Sequence, residues 1–319
     1  MVIIEYFSSL SLATLARALP GNIAQGLIWG IMALGVYITY RLLDFADLTV
    51  DGSLATGGAV AVMLIRGGVH PAVALVFSFL AGMLAGLATG LLHTCLGIPG
   101  ILSSILTQIS LYSINLGIMG KSNQAVNVDQ YPLVVSLRYV TGGTVTEILF
   151  FGGLILGCAA LIAVLYWFFG TEVGGSIRTT GCNENMARAQ GINTNFTKVL
   201  ALMISNGLVG LCGGLYAQYQ GSADVNMGRG AIVIGLAAVI IGEVLFGKLA
   251  SKSKWSFAIT LASVIVGAII YYLAIALVLW LKMPQSYMKL FSAIVVAIFL
   301  AIPYLKGKYG KKRKVVAKS

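Results

Sequence analysis

Long apolar stretches alternate with short polar ones along nearly the whole chain. A helix rises 1.5 Å per residue, so about 20 apolar residues are needed to cross a hydrocarbon core. Stretches of that kind run over 21–40, 50–66, 71–94, 99–118, 147–170, 197–218, 230–247, 256–281 and 286–305. The pattern predicts an all-α integral membrane protein, a polytopic helical bundle of nine spans. Boundaries read from sequence move by about 2–4 residues, which bounds the count at roughly eight to ten. Spans 50–66 and 230–247 are short and follow polar stretches, as broken or re-entrant helices do. Residues 1–19 carry Glu5 before any Lys or Arg, the wrong order for a signal peptide, and read as an interfacial N-terminal helix.

Composition agrees with lipid as the main solvent. Hydrophobic residues are 58% of the 319 and charged residues 10%, against about 25% in a soluble domain. Mean hydropathy is +0.93. The 39 glycines suit close helix contacts, and Gly26/Gly30, Gly82/Gly86/Gly90 and Gly210/Gly214 fall at small-xxx-small spacing. The net charge of +11 is concentrated beyond the last span, where Lys306, Lys308, Lys311, Lys312, Arg313, Lys314 and Lys318 form a basic tail, 306–319. Such a run beside an apolar helix marks a cytoplasmic end next to anionic lipid, and not a nucleic-acid surface. With that end inside, fourteen of the 21 Lys and Arg fall in cytoplasmic segments. Nine spans then place the N-terminus outside. Residues 1–305 read as one transmembrane domain, with no soluble domain attached.

This topology puts loop 119–146, with Lys121, Asn123, Asn127, Asp129 and Arg138, outside and loop 171–196 in the cytoplasm. An internal echo accompanies it. Ala46-Asp47 precedes Gly58 at the same spacing as Ala223-Asp224 precedes Gly235. The two pairs lie on opposite sides, as in an inverted repeat.

Catalytic and metal chemistry find no support. Cys95, Cys158, Cys182 and Cys212 are dispersed, and His70 and His93 stand at opposite ends of one span. Gly120-Lys121-Ser122 resembles the end of a phosphate loop, but Asn115 stands where the first Gly belongs. No ATP or other cofactor is therefore expected on this chain.

Four features carry the functional reading. The stretch Cys182, Asn183, Glu184, Asn185, Met186, Ala187, Arg188 through Gly191 reads as a short cytoplasmic helix over 183–190. Asn183 would be its N-cap and Gly191 its stop. It serves either as a solvated connector or as a docking surface. The acidic cluster Asp44, Asp47 and Asp51 would cap the second span or couple ions. Glu243 lies inside a span and should face the protein interior. The fourth span carries Ser103, Ser104, Thr107, Gln108, Ser110, Ser113 and Asn115, with Ser205 and Asn206 in the sixth. These polar groups either bind neighbouring helices or line a translocation path, for which Ser104, Thr107, Gln108, Asn115, Asn206 and Glu243 are the candidates.

The run from Gly174 to Gly247 resembles the permeases of the branched-chain amino-acid and ribose class of ABC importers. Gly175-Ser176-Ile177-Arg178, Asn183-Glu184-Asn185 with Ala187, Gly191-Ile192-Asn193, Gly213-Gly214-Leu215 and the outside turn Gly221 to Arg229 carry the likeness. Asp44-Phe45-Ala46-Asp47 is similar to the family's Asn-Phe-Ala lead into the second span, and its two aspartates point to a tryptophan-type subfamily. The resemblance implies a coupling helix at 182–191 that fits a groove on a separate ATPase subunit, where ATP and Mg²⁺ would bind. It implies an extracytoplasmic solute-binding protein at 119–146, and a dimer with a second permease copy or paralogue. The setting would be a bacterial plasma membrane and the cargo a small solute such as an amino acid. The competing reading is an ion-coupled secondary transporter using Asp44, Asp47 or Glu243.

Overall fold

The computed structural model describes residues 12–128, 130–140, 144–250 and 255–280, with positions 290, 291, 293, 294, 296–299 and 301. Asp129, most of the ninth predicted span and the basic tail fall outside these residues. The described chain is helical apart from one small sheet. Helix α1, Leu12–Tyr37, continues as a π-helical turn over Ile38–Leu42. Then come α2 Thr49–Arg66, α3 Pro71–Thr94, α4 Gly100–Met119, β1 Asn123–Ala125, α5 Leu137–Val140 and α6 Thr144–Phe169. They are followed by α7 Glu172–Cys182, α8 Glu184–Ala189, α9 Thr194–Gln220, β2 Ser222–Asp224, α10 Ala231–Ala250 and α11 Ser256–Trp280.

Among the described residues six helices are long and apolar enough to cross a membrane, and Ala231–Gly247 is a shorter apolar helix. Six of the nine predicted spans are thus full-length, 50–66 and 230–247 are not, and the ninth, 286–305, falls mostly outside the described residues. Helix α2 forms where expected, but its Thr, Ser and Asp side chains and its burial make it an interior element. The first span begins earlier than predicted. Residues 12–19, read as part of an interfacial helix, run straight into α1 through Pro20; residues 1–11 lie outside the described residues. Local chemistry sets the other ends. Pro71 opens α3 behind His70, whose Nδ1 accepts from Ala72 N at 3.2 Å. Asn193 Oδ1 accepts from Phe196 N at 3.1 Å to start α9, and Gly221, with φ +71°, closes it.

Large apolar side chains on α3 and α6, among them Phe77, Leu84, Leu149, Leu156 and Trp167, stay exposed. Such continuous apolar faces do not belong in water and match a lipid-facing surface. The multi-pass membrane character follows.

Besides the neighbouring pairs α2–α3 and α10–α11, the bundle is built from contacts distant in sequence. Helix α9 lies against α2 and α3, while α1 lies against α10 and α11. The glycines make these approaches possible. A Cβ on Gly82 would fall on the Asn206 carbonyl, and one on Gly57 on the carbonyl of Gly210. Gly26 meets the Ile269 backbone at 2.6 Å in the same sense. The first helix of each half thus packs on the second and third helices of the other. The paired Ala-Asp segments also agree in detail. Asp47 Oδ1 accepts from Thr49 N at 2.9 Å, and Asp224 Oδ1 accepts from Asn226 N at 2.7 Å, the same turn two residues on.

The loops expected on opposite sides do gather at opposite ends. Strands β1 and β2 pair antiparallel, Gln124 opposite Ala223, and tie loop 119–146 to the turn after α9. Arg66 donates to Gln124 at that end. At the other end α7 packs on the π turn, where a Cβ on Gly181 would fall on the Leu42 carbonyl. Sequence reading did not foresee the sheet or α7.

Candidate functional site

The interior is organised around Asn206. It stands midway along α9, a helix of 27 residues and about 40 Å. Its Nδ2 donates to Asp47 Oδ2 at 2.6 Å and its Oδ1 accepts from Ser53 Oγ at 2.6 Å. Helix α2 therefore starts near mid-depth, reached by a chain that leaves α1 at the α8 end. Helix α10 is the mirror case. The segment after β2 turns back from the sheet end, passing Gly58 through Met227, and a Cβ on Gly228 would fall on the Asp51 carbonyl. Helices α2 and α10 thus begin head to head near the centre of the bundle and run to opposite ends.

Asp51 fastens this joint. Its Oδ2 accepts from Gly230 N at 2.9 Å and its Oδ1 from Ile232 N at 3.0 Å. It caps α10, whereas the sequence offered Asp51 or Asp47 as the cap of α2; α2 has no side-chain cap, and Asp47 accepts from Thr49 N in the turn before it. Asp44 is exposed in a left-handed turn at φ +55°. The three aspartates therefore occupy separate places. Glu243 lies apart from them at the α8 end, paired with Arg41 at 2.7 and 3.1 Å.

Beside the joint is a cavity of about 320 Å³, lined by Asp51, Gln108, Tyr112, Ser113, Asn115 and Arg229 among others. The polar stripe of α4 divides at this point. Ser103, Ser104 and Thr107 are buried and bond back to carbonyls of their own helix, at 2.8, 2.9 and 3.0 Å. Gln108, Ser113 and Asn115 face the cavity. Asn115 is fully buried, and neither atom of its amide has a hydrogen-bond partner among the described residues. Of the predicted path residues, the fold brings Gln108 and Asn115 together at the cavity and Asn206 close by in the same layer. Ser104 and Thr107 serve their own helix, and Glu243 is remote. Sequence reading missed Tyr112 and Arg229, because a lone aromatic and a loop arginine carry no signal until the turn folds back on α4.

The second site is at the α8 end. Helix α8 spans Glu184–Ala189, inside the predicted 183–190; Asn183 Oδ1 accepts from Met186 N at 3.0 Å, and Gly191 follows at φ +82°. Cys182 closes α7 instead of joining this helix. Glu184 braces the unit, accepting from Arg188 Nη2 at 2.6 Å and Lys198 Nζ at 2.7 Å. The Lys198 hydrogen bond leads the causes that hold the Glu184 carboxyl below its usual range. Ala187 is buried, so the helix is seated on the bundle, while Asn185, Met186 and Arg188 project outward.

Comparisons with known proteins fit this arrangement. A family model described as the permease component of branched-chain amino-acid transport systems matches residues 21–301. A tyrosine transport system permease protein of Clostridioides difficile (strain R20291) is 41% identical over 87% of this chain and 88% of its own length. An uncharacterised protein of Rickettsia prowazekii (strain Madrid E) is 31% identical over 87% of this chain and 94% of its own. A D-allose transport system permease protein of Escherichia coli (strain K12) is 27% identical over 70% and 65%. No solved structure matches.

Proposed function

Because the chain belongs to the family of branched-chain amino-acid transport permeases, we propose that it is the membrane subunit of an ATP-driven importer of an aromatic amino acid. One observation carries this reading beyond family membership. A short helix, capped by Asn183 and braced by Glu184, presents Met186 and Arg188 at one end of the bundle. A braced apolar-and-basic knob of that kind suits a groove on a partner subunit. In this reading the α8 end is cytoplasmic, the ATPase subunit carries ATP and Mg²⁺, and its closure moves α8. The sheet end faces outward and receives a solute-binding protein on loop 119–146. The exposed face of α4 meets a second permease copy or a paralogue. The cargo follows the tyrosine permease relative. The membrane is the bacterial plasma membrane, with the basic tail inside.

The test is co-purification with the ATPase subunit of the importer. Met186→Glu puts a charge at the centre of the docking face without touching the Glu184 brace. It should weaken capture at least about tenfold, as loss of an interface anchor does. Unchanged capture would remove α8 from the coupling role. Purified chain alone in liposomes should not move L-tyrosine along a proton or sodium gradient; if it does, the importer reading fails.

A further inference from the structure

The cavity at the helix joint holds groups that no packing role explains. Asn115 is fully buried with both amide atoms unpartnered among the described residues, although it lines a polar space. Native interiors rarely leave such a group unsatisfied unless something else meets it. Arg229 is exposed at the same cavity, and its guanidinium makes no ion pair among the described residues. Asp51 spends one bond on each oxygen to cap α10, and a carboxylate has about four lone-pair sites, so acceptor capacity remains. Tyr112 adds an aromatic face. One cavity therefore combines a cation, a carboxylate with spare acceptors, an amide offering both donor and acceptor, and a ring.

We propose that this cavity is a binding site of the permease itself for the head group of an α-amino acid, so that the membrane subunit selects its cargo as well as conducting it. The substrate class rests on the importer reading above. Arg229 takes the carboxylate as a charge-assisted fork. The carboxylate of Asp51 and the amide oxygens of Asn115 and Gln108 accept from the ammonium group. The amide nitrogen of Asn115 gives the carboxylate a second donor, and Tyr112 lies against an aromatic side chain. The volume, about 320 Å³, falls at the lower end for small-ligand pockets, which suits one amino acid. Depth supports the assignment too. Asp51 is two residues from Ser53, which bonds Asn206 at the middle of α9, so the site is half-way across. A cargo passing between the ends must lose water there, and the fixed polar groups replace it.

The experiment uses the full chain in membranes with its ATPase subunit. Ser113→Cys places a thiol on the cavity wall, and its labelling by a maleimide is read above the background of the natural cysteines. Millimolar L-tyrosine should slow that labelling. Tyramine, which lacks the carboxylate, and desaminotyrosine, which lacks the ammonium, should not. Adding Arg229→Gln should weaken protection by about tenfold, the scale of one lost charge-assisted bond. Asn115→Leu should abolish protection while raising Tm, since it removes an unpaired buried amide. A lower Tm for Asn115→Leu would make Asn115 a structural residue and overturn the proposal. No protection by L-tyrosine, or equal protection by all three probes, would overturn it as well. ATP-driven uptake is measured separately. Protection without uptake would defeat the importer reading and leave the site standing.

Discussion

Several single positions in this bundle tolerate nothing larger than hydrogen. Gly57 of α2 and Gly210 of α9 cross so closely that a Cβ on the first would coincide with the carbonyl of the second. Without a hydrophobic drive between helices in lipid, such backbone contact is a main source of association. Gly57→Ala should therefore cost at least about 1–3 kcal/mol, the range for overpacking a filled core. A lower Tm in detergent would register it. Gly117→Ala is the control, because nothing lies within 4 Å of its would-be Cβ; it should be neutral or slightly stabilising. Single residues were legible in sequence where spacing repeats. The Gly82/Gly86/Gly90 and Gly210/Gly214 rows lie at one close helix contact, as their small-xxx-small pattern implied, with Gly210 reaching Gly82, and with Gly86 and Gly90 reaching Leu202 and Val199. Asp51 was not legible, since its partners Gly230 and Ile232 lie about 180 residues away and an N-cap is normally sought next door. Arg229 had no local pattern either.

At the scale of elements, hydrophobic length located the long helices within a few residues except for the start of α1, because burial in lipid requires an unbroken apolar run. Short elements were harder. Helix α7 contains Gly, Thr and Ser with little net hydrophobicity and rests on the π turn of α1, so only tertiary contact reveals it. The paired strands are three residues each and exist by mutual pairing across the outer loop. Helix α8 was legible because its cap, Asn183, and its stop, Gly191, are local. Its brace also has a pH signature. The Glu184 carboxyl is held below its ordinary range, chiefly by the Lys198 hydrogen bond. A group depressed in the folded state adds stability above its unfolded pKa and loses it as pH falls through the folded value. Protection of 183–191 against hydrogen exchange should thus be flat from neutral pH down to the ordinary Glu pKa, about 4.3, and collapse only below it. Glu184→Gln should lower the protection at neutral pH and remove the acid transition. An unaltered acid transition in that variant would assign it to another group.

For the whole molecule, opposed halves were legible only as a faint echo, Ala-Asp with a distant Gly. Matching turns at Asp47 and Asp224, and the exchange of first helices between halves, give that echo a geometric meaning. Such reciprocity has a consequence for the order in which the protein is made. Helix α1 has its main partners in α9, α10 and α11, not in the neighbouring α2. The ribosome completes α11 at Trp280, 243 residues after it passes Tyr37. At about 5–20 residues per second this is a wait of roughly 10–50 s. Until then the most buried of the described spans lacks part of its partner set, with α9 completed at Gln220 and α11 coming last. A chain truncated after residue 225 should leave the faces of α1 that meet α10 and α11 open to crosslinking with insertion machinery or lipid, and should be degraded faster than full-length protein. Supplying residues 226–319 as a separate polypeptide should restore its lifetime. The first described span is thereby among the last to complete its contacts.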